Sequence, residues 1–135
     1  MRYSMVAVAL LAFFCVAADL PAGKSVYKAV VDTDGVQKAD VVAGEYFFNP
    51  DHIIVKANIP VELKVRKEPG IVPHDFVLKA PEAGIDVLES LGTEPKVIRF
   101  TPAKPGKYTF YCDKKLIFSK SHREKGMEGI LEVVE

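Results

Sequence analysis

Four side chains in the 135-residue sequence suit a soft metal ion. Cys112 offers a thiol, His122 follows ten positions later and Met127 five after that. His74 stands far upstream, directly after Pro73. One thiolate, two imidazoles and one thioether make the donor set of a copper site that transfers electrons. Softness is the physical reason. Thiolate and thioether favour Cu(I), imidazole accepts either oxidation state, and a trigonal set lies between the geometries the two states prefer. The electron then moves with little ligand rearrangement. Zinc has no comparable use for a weak thioether in the fourth position.

Each residue also has a plainer reading. A lone buried cysteine is usually inert packing, and a methionine between Gly126 and Gly129 is often a gap filler. Taken singly, His74 is a loop histidine, and His122 a solvated residue between Ser121 and Arg123. His52, beside Asp51, falls on the polar side of its strand and reads as surface. A Cys–His nucleophile is a further alternative, but it leaves Met127 and the second histidine idle. No helix start is evident before Cys112 to lower its pKa.

Compartment weighs on the choice. Residues 1–18 carry Arg2, an apolar run over 5–18 and the small residues Val16-Ala17-Ala18. That is the pattern of a secretory signal cleaved near Ala18, giving a periplasmic or secreted chain from residue 19 to 135. An uncleaved membrane anchor is the alternative, although the run is short for a span. Cleavage removes Cys15 and leaves Cys112 as the single cysteine. In an oxidising compartment, a lone cysteine is a reactive thiol, an intermolecular bridge or a metal ligand.

The elements that must position these residues read as strands. Val61-Glu62-Leu63-Lys64-Val65-Arg66 alternates apolar and charged, as a half-buried antiparallel strand does. Lys107-Tyr108-Thr109-Phe110-Tyr111-Cys112 places Tyr108, Phe110 and Cys112 on one face. If 74–79 is extended, His74, Phe76 and Leu78 share a face, and Ile53 and Val55 point inward from another strand. Further strands are expected at 25–31, 38–47, 96–101 and 128–134, with one short helix candidate near 84–91. Turns at Asp34-Gly35, Asn49-Pro50, Glu68-Pro69-Gly70 and 102–106 separate them. Seven or eight short strands predict an all-β Greek-key sandwich or barrel of one domain. The balance of 18 Lys+Arg against 18 Asp+Glu gives no basic excess for nucleic acid. Hydrophobic residues at 49% and charged residues at 27% are those of a globular chain, not a disordered one.

From Tyr46 to the end, the chain resembles the cupredoxin family, the plastocyanin- and azurin-like copper proteins. The resemblance lies in Phe48-Asn49-Pro50-Asp51-His52-Ile53-Ile54-Val55, Pro60-Val61-Glu62-Leu63 and Pro73-His74-Asp75-Phe76. It continues through Gly106-Lys107-Tyr108-Thr109-Phe110-Tyr111-Cys112 to His122 and Met127. It implies an eight-stranded Greek-key sandwich holding one copper on His74, Cys112, His122 and Met127, with Glu128 as the alternative fourth donor. Residues 113–121 lengthen the interval between Cys112 and His122 beyond the family's usual two to four positions. They are expected to loop out, as one helical turn, before returning to the metal.

The function expected is a one-electron carrier cycling Cu(II)/Cu(I), not an enzyme. The alternative is a protein for copper delivery, storage or tolerance. Such proteins often carry Met- or His-rich tracts, and none is present here. The partner expected is an acidic redox protein. Neither nucleic-acid binding nor stable membrane insertion after cleavage is expected, and the protein is expected to be a monomer. Residues 113–125 hold Lys114, Lys115, Lys120, Arg123 and Lys125 against Asp113 and Glu124. They also hold the apolar trio Leu116-Ile117-Phe118, either a docking surface beside the family's most exposed ligand, His122, or a plug tucked into the core.

Overall fold

Period-two alternation governs most strands in the computed structural model, which describes residues 24–135. The expected signal segment, its cleavage site and the alternative of an anchor lie outside the described residues. Among the described residues ten strands form: β1 (Val26–Lys28), β2 (Gln37–Gly44), β3 (Phe47–Asn49), β4 (His52–Lys56), β5 (Val61–Lys67), β6 (Asp75–Ala80), β7 (Ile85–Ser90), β8 (Lys96–Phe100), β9 (Gly106–Tyr111) and β10 (Glu128–Val134). One sheet runs β1-β4-β10-β9-β6-β7 and the other β3-β2-β5-β8. Among the described residues, no helix is long and apolar enough to cross a membrane.

The all-β sandwich matches the expectation, but ten strands replace seven or eight. Two local features account for the change. The run expected as one strand at 38–47 breaks into β2 and β3 at a tight turn, where Tyr46 takes φ 65°. The helix candidate near 84–91 is instead β7, hydrogen-bonded antiparallel to β6. A single 3-10 turn, Pro81–Ala83, precedes it. β5 is also only partly as expected: it runs antiparallel to β8 but parallel to β2.

Inward side chains of the two sheets meet in one core. β2 contributes Ala39, Val41 and Ala43, β5 contributes Val61, Leu63 and Val65, and β4 contributes Ile53 and Val55. At one end the core is aromatic. Phe76 and Phe110 stack at 5.1 Å between centroids, and Phe48 meets each edge-on at 5.7 and 5.4 Å. Phe110 lies two residues before Cys112 and Phe76 two after His74. The same aromatic contact therefore fixes the relative height of the strands that deliver both residues. Gly129 on β10 stands opposite Phe110, and a Cβ there would lie 2.3 Å from the Phe110 ring and 2.5 Å from the Asp51 carbonyl. The carbonyl belongs to backbone and cannot swing aside, so this position requires glycine.

Residues 113–121 do not form a helical turn. Lys115 and Ser121 pair as an antiparallel bridge, and the Ser119 N–H donates to the Leu116 carbonyl at 3.1 Å. The tip of this small loop is not a plug: Ile117 is 85% and Phe118 105% exposed. Phe118 also carries φ 59°, a conformation uncommon for a bulky residue.

Candidate metal centre

His74 enters the site from the residue before β6, and Cys112 from the residue after β9. Their strands are adjacent and antiparallel, with Val77 opposite Tyr111, so the two ends meet at one edge of the sandwich. His122 and Met127 come from the segment that returns the chain to β10. That segment is held locally. The Ser121 N–H donates to Glu124 Oε2 at 2.7 Å, while the Glu124 N–H donates to Ser121 Oγ at 3.2 Å. This reciprocal pair is a capping box, legible in the sequence as Ser121-x-x-Glu124. The His122 N–H donates to the Lys114 carbonyl at 2.8 Å, and the Met127 N–H to the His122 carbonyl at 3.0 Å. The Cys112 N–H completes the loop by donating to the Met127 carbonyl at 3.1 Å.

The result brings three donors together. Cys112 Sγ lies 3.4 Å from His122 Nδ1 and 3.8 Å from His74 Nδ1, and all three donor atoms fall within 4.8 Å of one another. A first-row metal roughly 2.0–2.3 Å from each donor would separate its nitrogen and sulfur ligands by roughly 3.5–3.8 Å at tetrahedral to trigonal angles. The observed separations suit such an ion. Cys112, His122 and Met127 are fully buried, and His74 is 5% exposed. Glu128 is not the fourth donor: it is exposed and its Oε2 accepts from Arg123 Nε at 3.0 Å. Strand alternation at the start of β10 turns it outward and Met127 inward.

His122 has a buried Nε2 with no hydrogen-bond partner. Its ring meets the Tyr46 ring at 5.1 Å and 75°, and the Lys125 ammonium sits 4.2 Å over the same tyrosine. A buried imidazole lacking a full set of partners is costly as a packing residue. Tyr46 reaches this place through the β2–β3 turn, and nothing in its sequence neighbourhood announces it. Asp75 is a second residue that sequence reasoning missed. Its backbone N–H points to Cys112 Sγ at 3.5 Å, and its buried carboxylate accepts from the Asp113 N–H at 2.8 Å. It braces the sulfur from one side and the chain after Cys112 from the other. Its place directly after His74 was the available signal. His52 stands apart, half-buried on the outer face of its sheet, with Nε2 2.7 Å from Glu132 Oε2.

Residues 4–124 match the cupredoxin-like domain family. The chain belongs to that family. Among solved structures it is similar to the metal-binding domain of the Cu(I)-exporting P-type ATPase CopA of Streptococcus pneumoniae D39, determined with Cu(I). Identity is 32% and the TM-score 0.61, over 84% of this chain and 99% of that one. It also shares its fold with a copper-binding protein solved in the apo form, at 23% identity and TM-score 0.61, over 83% of this chain and 100% of that one. Auracyanin B has the same fold, at 19% identity and TM-score 0.55, over 79% of this chain and 94% of that one. No curated protein sequence matches. Family and donor set agree on the cofactor, one copper ion per chain.

Burial and neighbouring charges set the protonation of the three donors. Burial first, then the neighbouring His122 and Lys67, lowers His74 to about 4. Burial first, then Lys125, lowers His122 as well. Burial pushes the Cys112 thiol up to about 11, against hydrogen bonds from the Asp75 and Lys114 backbone that lower it. Both imidazoles are thus neutral and free to donate, while the thiol keeps its proton until a cation displaces it. A raised thiol pKa also opposes the nucleophile alternative.

These shifts fix a sign for stability. Below the ordinary histidine value of 6.5 the unfolded chain takes up protons that the folded chain refuses until about pH 4. The metal-free protein should therefore lose stability as pH falls through that window. Urea midpoints of the apo protein at about pH 7 and about pH 4.5 check this. Equal midpoints would contradict it.

Proposed function

We propose that the protein is a secreted or periplasmic one-electron carrier, not an enzyme. In this reading His74, Cys112 and His122 hold copper, and Met127 is a weak fourth donor. The observation that carries it is the convergence of one sulfur and two imidazole nitrogens within 4.8 Å, screened from water. Donors held in place by the fold would change little between Cu(II) and Cu(I), which is what rapid electron exchange requires. Copper supplies the redox couple when bound. The chain's own residues hold the donors, exclude water and, through Asp75, orient the sulfur.

An acidic redox protein is the partner that the 113–125 segment fits. Lys114 and Arg123 lie near carboxylates of this chain, at 3.9 Å from Asp75 and 3.0 Å from Glu128. Among the described residues, Lys115 and Lys120 form no such pair and flank the exposed Ile117 and Phe118. Apolar contact at the tip excludes water, while the basic rim raises the encounter rate. Lys114→Glu with Lys115→Glu should slow electron transfer to an acidic partner roughly tenfold at low salt. The rate for the unaltered protein should itself fall as salt rises, since exposed charges are screened over about 10 Å at 0.1 M. The visible spectrum should not change. A rate indifferent to both salt and charge reversal would remove this partner.

The second reading, copper handling, is favoured by one observation: the relative of 32% identity is a metal-binding domain of a Cu(I) exporter. The two readings part in a simple experiment. A carrier gives reversible voltammetry and keeps its copper against a competing Cu(I) chelator. A handling protein yields the metal quickly to the chelator.

A further inference from the structure

Of the four residues assigned to copper, three have no solvent exposure and only His74 has any, at 5%. His122, expected to be the ligand nearest solvent, is instead sealed under Tyr46, which Lys125 covers in turn. His74 lies in the wall of an open cleft of about 300 Å³. The β2–β3 turn, through Gly44 and Glu45, forms one side, and the β5–β6 loop, through Glu68, Gly70 and Val72, forms the other. We infer that this cleft is the port through which a copper cation reaches and leaves the buried donors. The inference rests on the copper reading and adds the route.

Size and charge both suit the route. The cleft admits a hydrated ion or small complex up to the His74 ring, from which Cys112 Sγ is 3.8 Å beyond Nδ1. Glu45 and Glu68 are exposed on opposite sides of it. Lys67 is the opposing charge, and its ammonium donates to the Gly70 carbonyl. Two carboxylates against one ammonium leave a negative mouth, which concentrates a cation at a narrow opening. His122, by contrast, is buried against the Tyr46 ring, which would have to move first.

Stopped-flow loading of the apo protein with aqueous Cu(II) tests the port, following growth of the thiolate-to-copper absorbance. Glu45→Gln with Glu68→Gln should slow loading roughly three- to tenfold at low ionic strength, and the difference should shrink as salt rises. The final spectrum should match that of the unaltered protein. Val72→Trp, which fills the cleft, should slow loading at every salt concentration. The glutamine pair is exposed and keeps the test intact if the tryptophan variant does not fold. If both cleft variants load at the normal rate, the inference is overturned. A protein that never forms the band removes the copper reading and the port with it, whereas a normal band with indifferent rates removes the port alone.

Discussion

Cys112→Ser should abolish the intense visible band of the copper-loaded protein and most of its copper binding. The side chain is fully buried and its neighbours are two imidazoles that burial keeps neutral. In the copper reading, the thiolate supplies the negative charge closest to the ion. A hydroxyl is a harder donor and does not ionise here, so the substituted site would hold a cation beside neutral donors in a region closed to water. Serine is nearly isosteric, so the fold should survive: the aromatic contacts of Phe76, Phe110 and Phe48 do not involve the sulfur. Visible absorbance with metal analysis reads the site, and a thermal melt of the apo variant reads the fold. An unchanged band in Cys112→Ser would remove the copper–thiolate reading.

Met127→Leu should do something different: keep the copper and raise its reduction potential. Met127 is fully buried, and its backbone joins His122 and Cys112 through two hydrogen bonds that substitution leaves in place. Leucine has a similar volume and should pack with little cost. In the copper reading it removes the fourth donor; although a thioether is soft, three-coordination suits Cu(I) better than Cu(II), so its loss costs the oxidised state more. A tenfold change in the affinity ratio corresponds to about 59 mV for one electron, and the shift should be upward and of that order. Voltammetry of the two proteins under one buffer measures it. A lowered potential, or loss of copper with the fold intact, would give Met127 another role.

The contrast between these substitutions explains how far the sequence could be read. The soft donor set expected of Cys112, His122 and Met127 is chemistry carried by single side chains and was read from their type and order. Strands whose outer face is polar were equally legible: β5 alternates Val61, Leu63 and Val65 inward with charged residues outward. β7 misled because Leu88 sits on its outer face, 58% exposed. Ile85 and Leu88 then mimic a helical i, i+3 pair, although Ile85 and Val87 are the residues that point inward. The break between β2 and β3 carries Gly44 as its one turn residue, a weak signal because the left-handed conformation falls instead on Tyr46.

Exposure of the ligands was the least legible property. Cover over His122 comes from Tyr46, more than seventy positions away, and from Lys125 folded back over that ring. Such contacts depend on how two loops meet at one end of the sandwich, which local pattern cannot encode. The same holds for Phe118: its charged surroundings were plain, but only the bridge between Lys115 and Ser121 shows that the tip projects into solvent. Asp75 lies between these cases. Its position beside His74 was visible, whereas its hold on the Asp113 N–H required β6 and β9 to be placed side by side.

The most direct measurement is the visible spectrum of the purified protein after copper addition and removal of excess metal, taken together with metal analysis. The donor arrangement predicts one copper per chain and an intense thiolate-to-copper band that disappears on reduction and returns on oxidation. Copper well below one per chain, or one copper per chain with no such band in the oxidised protein, would contradict a copper centre built on Cys112.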